Sequence, residues 1–319
     1  MKITRAAALG PDTCRRRSPQ NILPRLSFYI GIWQVDTEAR AWLGAKQPAR
    51  LAALATAVER FWASIEGLPA APGHTARGLF LAPEYLFVHE QIGPDGANQF
   101  TQHHMNEADT KQVSDALWAL SARFPALLLV PGSLLSRRAK TGGDQPLLLI
   151  AKHRSFVENN LRGEAKKLEL AQLETAAEQG AHARYLGTNR AMLFMNGLQH
   201  IHDKVTDVSE SWDPETTLHI GGNLQGPCQI DGIVYGVELC KDHHAGYLAS
   251  TLNGRRLDVQ LVLSAHLDSA WTEGNKVAPI LIHACSVAER SGVYSDGAVT
   301  TLTSLQTPYP IQRYQLTLP

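Results

Sequence analysis

The strongest constraint on the fold is a set of short, unbroken apolar runs separated by segments of helical spacing. LSFYIGIWQVD starts at Leu26, GLFLAPEYLF at Gly78 and ALLLVPGSL at Ala126. A strand that is apolar on both faces must be covered on both, unlike the alternating strands of a half-solvated sheet. Between the first two runs, Leu51, Leu54, Val58, Trp62 and Ile65 recur at helical intervals, predicting a helix over 50–66 that Pro72-Gly73 ends. Val113, Leu117 and Leu120 predict a second helix over 108–123. Strand, helix, strand, helix, strand with apolar strands implies an α/β fold, a mixed or parallel sheet covered by helices.

Farther along, Asn196-Gly197 and Asp231-Gly232 each separate two apolar runs and predict hairpins with both turn residues at positive φ. LDVQLVLSAHLDSAW supplies another buried strand, residues 280–291 read as helix, and 292–299 return to strand. Residues 136–188 break the rhythm, being rich in Lys, Arg, Glu, Gln and Ala. They read as a helical insertion with little apolar surface, mostly helical over 155–183, with Gly163 its weak point. A flap over a pocket, an oligomer contact and a solvated surface helix are the roles open to it. The 319 residues allow one large domain or two. No linker divides them, so residues 26–319 are expected to form one domain behind a disordered leader, 1–25.

Thirty basic residues balance thirty acidic ones. No global field attracts nucleic acid or anionic membrane, and neither is expected as a partner. No run approaches the roughly 18 apolar residues of a membrane span. The leader carries Arg15-Arg16-Arg17 but lacks the apolar stretch of a secretory signal. Cys14, Cys228, Cys240 and Cys285 are too few and scattered for a disulfide framework, which points to reduced thiols and a cytoplasmic location. Cys14 falls in the leader, Cys228 in an expected loop and Cys285 on the expected helix; all three read as structural.

Three residues stand out chemically. Cys240 ends the apolar run IVYGVEL and precedes the polar KDHH, so its thiol falls at a strand's C-terminal edge, where α/β sites gather. Such a cysteine is either a nucleophile or a small buried hydrophobe. Glu84 interrupts an otherwise apolar stretch; a carboxylate there is at a strand end or held for a purpose, because burying it unpaired costs several kcal/mol. Lys204, in HIHDKV, is by itself an ordinary solvated lysine. Beside a thiol and a carboxylate it becomes a fixed cation able to stabilise an oxyanion.

In this order, Glu, Lys and Cys at strand ends resemble the nitrilase, or carbon–nitrogen hydrolase, superfamily. LFLAPEYLF is similar to its glutamate motif, NRAMLFMNGLQHIHDK to its lysine motif and GVELCKDHH to its cysteine motif. LLLVPGSLL, LDVQLVLSAHLDSAW and HACSVAERSGVYS resemble supporting segments in the same order, the last as helix then strand. The resemblance spans roughly 26–299. It implies a four-layer αββα sandwich and hydrolysis of a non-peptide carbon–nitrogen bond in a small-molecule substrate (an amide, carbamoyl amide or nitrile), without a cofactor. It further implies Cys240 as nucleophile, Glu84 as general base then acid, Lys204 and the backbone N–H of Lys241 as oxyanion donors, and a second glutamate, Glu210 in preference to Glu215. A homo-oligomer is expected.

The sequence departs from the family pattern after the cysteine. Lys241 replaces an aromatic residue, Asp242 keeps the acid, and His243-His244-Ala245-Gly246 replaces the remainder; Val205-Thr206-Asp207 follows the lysine. These departures bear on the substrate more than on the three reactive groups. Tyr85, His244, His266 and Trp271 are candidate pocket residues, each with an alternative role in packing. Two rival readings are zinc binding, prompted by His103-His104, His200, His202 and His243-His244, and an inactive scaffold of the same fold used for binding. Adjacent histidines point in different directions and none pair at i, i+4 on an evident helix, so no metal is expected. Retention of Glu84, Lys204 and Cys240 together argues against the scaffold.

Overall fold

The computed structural model describes residues 27–68, 73–89, 104–160, 162–180, 183–205, 217–219, 226–252 and 254–317. The leader and Cys14 lie outside the described residues. The chain opens with β1 (Ser27–Trp33), a helical turn α1 (Arg40–Leu43), the long helix α2 (Gln47–Ile65) and β2 (Gly78–Ala82). Helix α3 (Glu107–Ala122) leads to β3 (Leu127–Pro131) and β4 (Ser133–Ala139). Two helices, α4 (Pro146–Asn160) and α5 (Gly163–Gly180), precede β5 (Tyr185–Met195), β6 (Leu198–Asp203) and β7 (Thr217–His219). Next come β8 (Cys228–Ile230), β9 (Ile233–Leu239), α6 (Lys241–His244), α7 (Tyr247–Thr251), β10 (Val259–Ser264), α8 (Ser269–Gly274) and β11 (Ile280–Cys285). A 3-10 turn at Ala288–Arg290 precedes β12 (Gly292–Ser295), β13 (Ala298–Leu305) and β14 (Ile311–Thr317). No helix among the described residues is long and apolar enough to cross a membrane.

The strands form two sheets. Nine belong to the larger, in the order β13-β14-β1-β2-β3-β5-β4, with β6 and β7 also paired to β5. Its centre, β1, β2 and β3, is parallel. The smaller sheet runs β12-β11-β10-β9-β8, with β9, β10 and β11 parallel. One hydrophobic cluster draws on both sheets: Ile30, Leu79, Leu128 and Leu193 of the larger meet Val237, Leu261 and Ile282 of the smaller. The opposite face of the larger sheet, through Phe80, Leu129 and Phe194, packs on Leu54, Val58 and Phe61 of α2 and Val113 and Leu117 of α3. The unbroken apolar runs follow from this double coverage, since β2 and β3 are buried at every position.

Local chemistry sets the turns. Asn196 and Gly197 take φ of 47° and 75°, and Asp231 and Gly232 take 51° and 81°, so both expected hairpins form with both central residues left-handed. Helix α3 starts where Asn106 accepts a 2.8 Å hydrogen bond from the Asp109 N–H.

The structure corrects several expectations. Residues 280–291 are not a helix; β11 occupies Ile280–Cys285, and only Ala288–Arg290 turn helically. A six-residue apolar run fits helix and strand equally, and the vacancy beside β10 decides for strand. HACSVAERSGVYS is therefore a strand end, a turn and a strand. Cys285 ends β11 and Cys228 begins β8, not a helix and a loop. The run from Ala126 is two strands, broken at Gly132 with φ 75°, and residues 292–299 contribute to strands in different sheets. Helix α2 ends at Ile65, before Pro72-Gly73.

The helical excursion is also narrower than 136–188. Residues up to Ala139 and from Tyr185 pair as neighbouring strands, leaving 140–184 outside the sheet. It is not without apolar surface. Ile150 and Val157 of α4 and Leu173 and Ala176 of α5 form a core with Leu186, Val205, Leu218 and Tyr247.

Candidate active site

Glu84 follows β2, Lys204 follows β6 and Cys240 follows β9. Strand β6 is antiparallel to β5, which is antiparallel to β3, so β6 runs with β2 and β3. Glu84 and Lys204 therefore emerge at the same edge of the larger sheet. Both are fully buried, and Lys204 Nζ donates to Glu84 Oε1 at 2.9 Å. The solvated lysine that the sequence also permitted is overturned. Asn189 Nδ2 donates to the same carboxylate oxygen at 2.9 Å, and Tyr85 Oη lies 3.3 Å from Nζ.

The glutamate turn is held from both sides. Thr37 Oγ1, in the loop after β1, donates to the Glu84 carbonyl at 2.9 Å. Ser133 Oγ accepts from the N–H of Tyr85 at 2.9 Å, and Tyr85 is held at φ 59°. Positive φ in a bulky aromatic residue costs of order 1–3 kcal/mol and persists only where the surroundings over-determine it.

Cys240 is the second strained residue, at φ 44° and ψ −97°. Its N–H donates to the Leu263 carbonyl of β10 at 2.8 Å, and its own carbonyl accepts from His243 N at 3.0 Å. The thiol thus sits on a sharp strand-to-helix turn, and Lys241 N is the first amide of α6. Two residues past the cysteine, both Asp242 carboxylate oxygens accept from Val205 N at 3.1 Å. Val205 is the neighbour of Lys204, so this contact ties the cysteine turn to the lysine. His202 Nε2 stands 3.9 Å from Asp242 Oδ2 on the same junction.

The described thiols differ in setting. Cys285 is buried and its Sγ donates to the Ala265 carbonyl at 3.3 Å, and burial pushes its pKa up. Burial raises Cys228 as well. Both are held as thiols at neutral pH; Cys240, half-buried like Cys228, sits at the strand edge.

The remaining candidates separate. Tyr85 is buried against Lys204. His244 is half-buried, and its pKa is lowered by burial and by neighbouring His243 and Lys241, which keeps it neutral at pH 7. His266 is largely exposed and pairs with Glu38. Trp271 lies on α8, but its side chain is outside the described residues, as are Glu210 and Glu215. No group of three or more His, Cys, Asp or Glu among the described residues is placed to hold a metal. Sequence reading missed Asn189 and Thr37; the signal for Asn189 was a polar side chain in β5 directly before the apolar run AMLFM.

No family model and no curated protein sequence matches this chain. Among solved structures it is similar to Nit3 of Saccharomyces cerevisiae, described as a member of branch 10 of the nitrilase superfamily. That similarity has 13% identity and a TM-score of 0.46, over 92% of this chain and 90% of the other. An amidase from Nesterenkonia sp. shows 15% identity and a TM-score of 0.44 over 93% and 92%. A carbon-nitrogen hydrolase from Helicobacter pylori G27 shows 14% and 0.45 over 81% and 73%. Similarity of this size decides nothing about the chemistry of this chain.

Proposed function

We propose that the chain is a nitrilase-type carbon–nitrogen hydrolase that cleaves a small amide, carbamoyl amide or nitrile through a thioester on Cys240. The observation that carries this reading is the fully buried Glu84–Lys204 pair, tied through Asp242 and Val205 to the strained turn that bears the thiol. A buried ion pair is weak evidence for stability, because desolvating two charges offsets most of their attraction. Strain at Tyr85, in contact with the pair, and at Cys240, on the turn linked to it, supports a site built for chemistry instead.

In this reading Glu84 takes the thiol proton and the thiolate sulfur attacks the carbonyl or nitrile carbon. A free thiol of pKa about 8.5 is only a few per cent ionised at pH 7, so an adjacent base and a nearby ammonium both raise the reactive fraction. Charge developing on the substrate oxygen or nitrogen is met by Lys204 Nζ and the N–H of Lys241. For an amide, Glu84 returns its proton to the leaving nitrogen, the carbon–nitrogen bond breaks and a thioester remains. Glu84 then draws a proton from water, whose oxygen attacks the thioester, releasing the acid and restoring the thiol.

The test is intact-mass analysis of the enzyme quenched with a panel of amides, ureido acids and nitriles. A mass increase equal to the acyl group in the wild type, absent in folded Cys240→Ala, is the expected result. Turnover by Cys240→Ala would overturn the reading.

A further inference from the structure

Behind the cysteine turn, on the side of the smaller sheet that faces α6, α7 and α8, lies a buried polar layer. Glu238 of β9 and His243 of α6 are 2% and 0% exposed. Glu238 Oε2 lies 2.5 Å from His243 Nδ1, and Glu238 Oε1 accepts from Leu248 N, in α7, at 2.8 Å. Gln260 of β10 donates through Nε2 to Glu238 Oε2 at 2.8 Å and accepts through Oε1 from Val277 N at 2.9 Å. Asn275 Nδ2 donates to the carbonyls of His243 and His244 at 2.8 and 3.1 Å.

The protons follow from the partners. His243 Nε2 faces the Thr272 carbonyl at 3.0 Å, an acceptor only, so Nε2 carries hydrogen. Nδ1 faces both Glu238 Oε2 at 2.5 Å and Gln260 Nε2 at 3.1 Å. One carboxylate two residues before Cys240 thereby grips the helix that begins at the cysteine and the helix that follows it. An apolar pair would fill this space without directional bonds, and it would not fix the rotation of α6 about the cysteine.

We infer that Glu238 and His243 are positioning residues for the Cys240 thiol, holding the left-handed cysteine turn against relaxation. The inference rests on the reading of Cys240 as nucleophile. The backbone at φ 44° is stabilised from three directions: Cys240 N to β10, Asp242 to Val205, and His243 to Glu238 and Thr272. The first two fix where the turn sits. The third fixes which way the helix leaves it, and so where the Cα–Cβ bond of Cys240 points. A displacement of about 1 Å at a reacting group is enough to cost roughly a hundredfold in rate.

The experiment needs no substrate. Full-length wild type, Glu238→Gln, His243→Asn and the control His283→Leu are alkylated with iodoacetamide, and the rate at Cys240 is followed by peptide mass. His283 belongs to the same buried layer, bonded to Ser264 at 2.7 Å and Thr272 at 3.2 Å, but not to the helix after the cysteine. Folding is checked by circular dichroism and thermal unfolding. We expect Cys240 alkylation to fall about tenfold or more in folded Glu238→Gln and His243→Asn, and to stay at the wild-type rate in His283→Leu. If His243→Asn does not fold, the milder Glu238→Gln decides. A wild-type rate in folded Glu238→Gln overturns the inference, as does an equal fall in His283→Leu. Wild-type Cys240 reacting no faster than Cys285 and Cys228 would instead overturn the assignment of the nucleophile, so the two failures are distinguishable.

Discussion

Replacing Lys204 by methionine measures how far the buried carboxylate depends on its ammonium. Nζ and Oε1 are 2.9 Å apart, and neither side chain is exposed. At an effective dielectric near 20, attraction at that separation is about 6 kcal/mol. Desolvating each ion costs several kcal/mol, so the intact pair is close to neutral for stability. Removing one member has a different outcome. In Lys204→Met the carboxylate keeps Asn189 as donor but loses the neutralising charge, and the expected destabilisation is about 3–5 kcal/mol. In the double variant with Glu84→Gln both charges are gone, and Asn189 can still donate to the amide oxygen. That variant should lose much less than Lys204→Met alone. The assay is urea unfolding followed by circular dichroism on the wild type, both single variants and the double, read as a double-mutant cycle. Losses that simply add, with a coupling below about 0.5 kcal/mol, would refute the claim that the two charges hold each other in place.

Two further outcomes follow from buried groups. His283 is held down to about 3 from 6.5, chiefly by burial and then by His243. Between those values the unfolded chain binds a proton that the folded chain does not, so stability rises with pH across that window and is lost on acidification. The contribution between pH 7 and 5 is about 2 kcal/mol, and His283→Leu should flatten the profile by that amount. Urea midpoints at the two pH values that shift equally in both proteins would refute it. In the insertion, Val157 is fully buried, so Val157→Asp should destabilise the fold by about 3 kcal/mol or more. A thermal unfolding curve unchanged from wild type would mean that α4 is merely solvated.

Legibility in the sequence tracked how local the cause was. The Asn196-Gly197 and Asp231-Gly232 hairpins were readable because two adjacent residues dictate such turns. Glu84 was readable because a lone charge in an apolar run has few innocent explanations. The same signal was present at Glu238 in IVYGVEL, at Gln260 in VQLVLS and at His283 in ILIHAC. It passed unread because these polar residues explain one another only once three parallel strands lie side by side. Strand β11 reads as helix in the sequence for the same reason, its conformation being decided by β10 and β12 rather than by its own six residues. The link from Asp242 to Val205 joins positions 37 apart, and no spacing rule reaches that far.

The pairing of β4 with β5 has a consequence for how this chain can diversify. Ala139 lies opposite Tyr185, so residues 140–184 depart and return at points about 5 Å apart that the sheet already holds together. Changing the length of such an excursion costs little closure entropy and leaves the register intact. It is an exchangeable cassette. Its inner side rests on Val205, next to the lysine, and on Tyr247, in the second helix after the cysteine. Replacing the cassette therefore remodels the surroundings of two reactive groups while the strands that carry them stay unchanged.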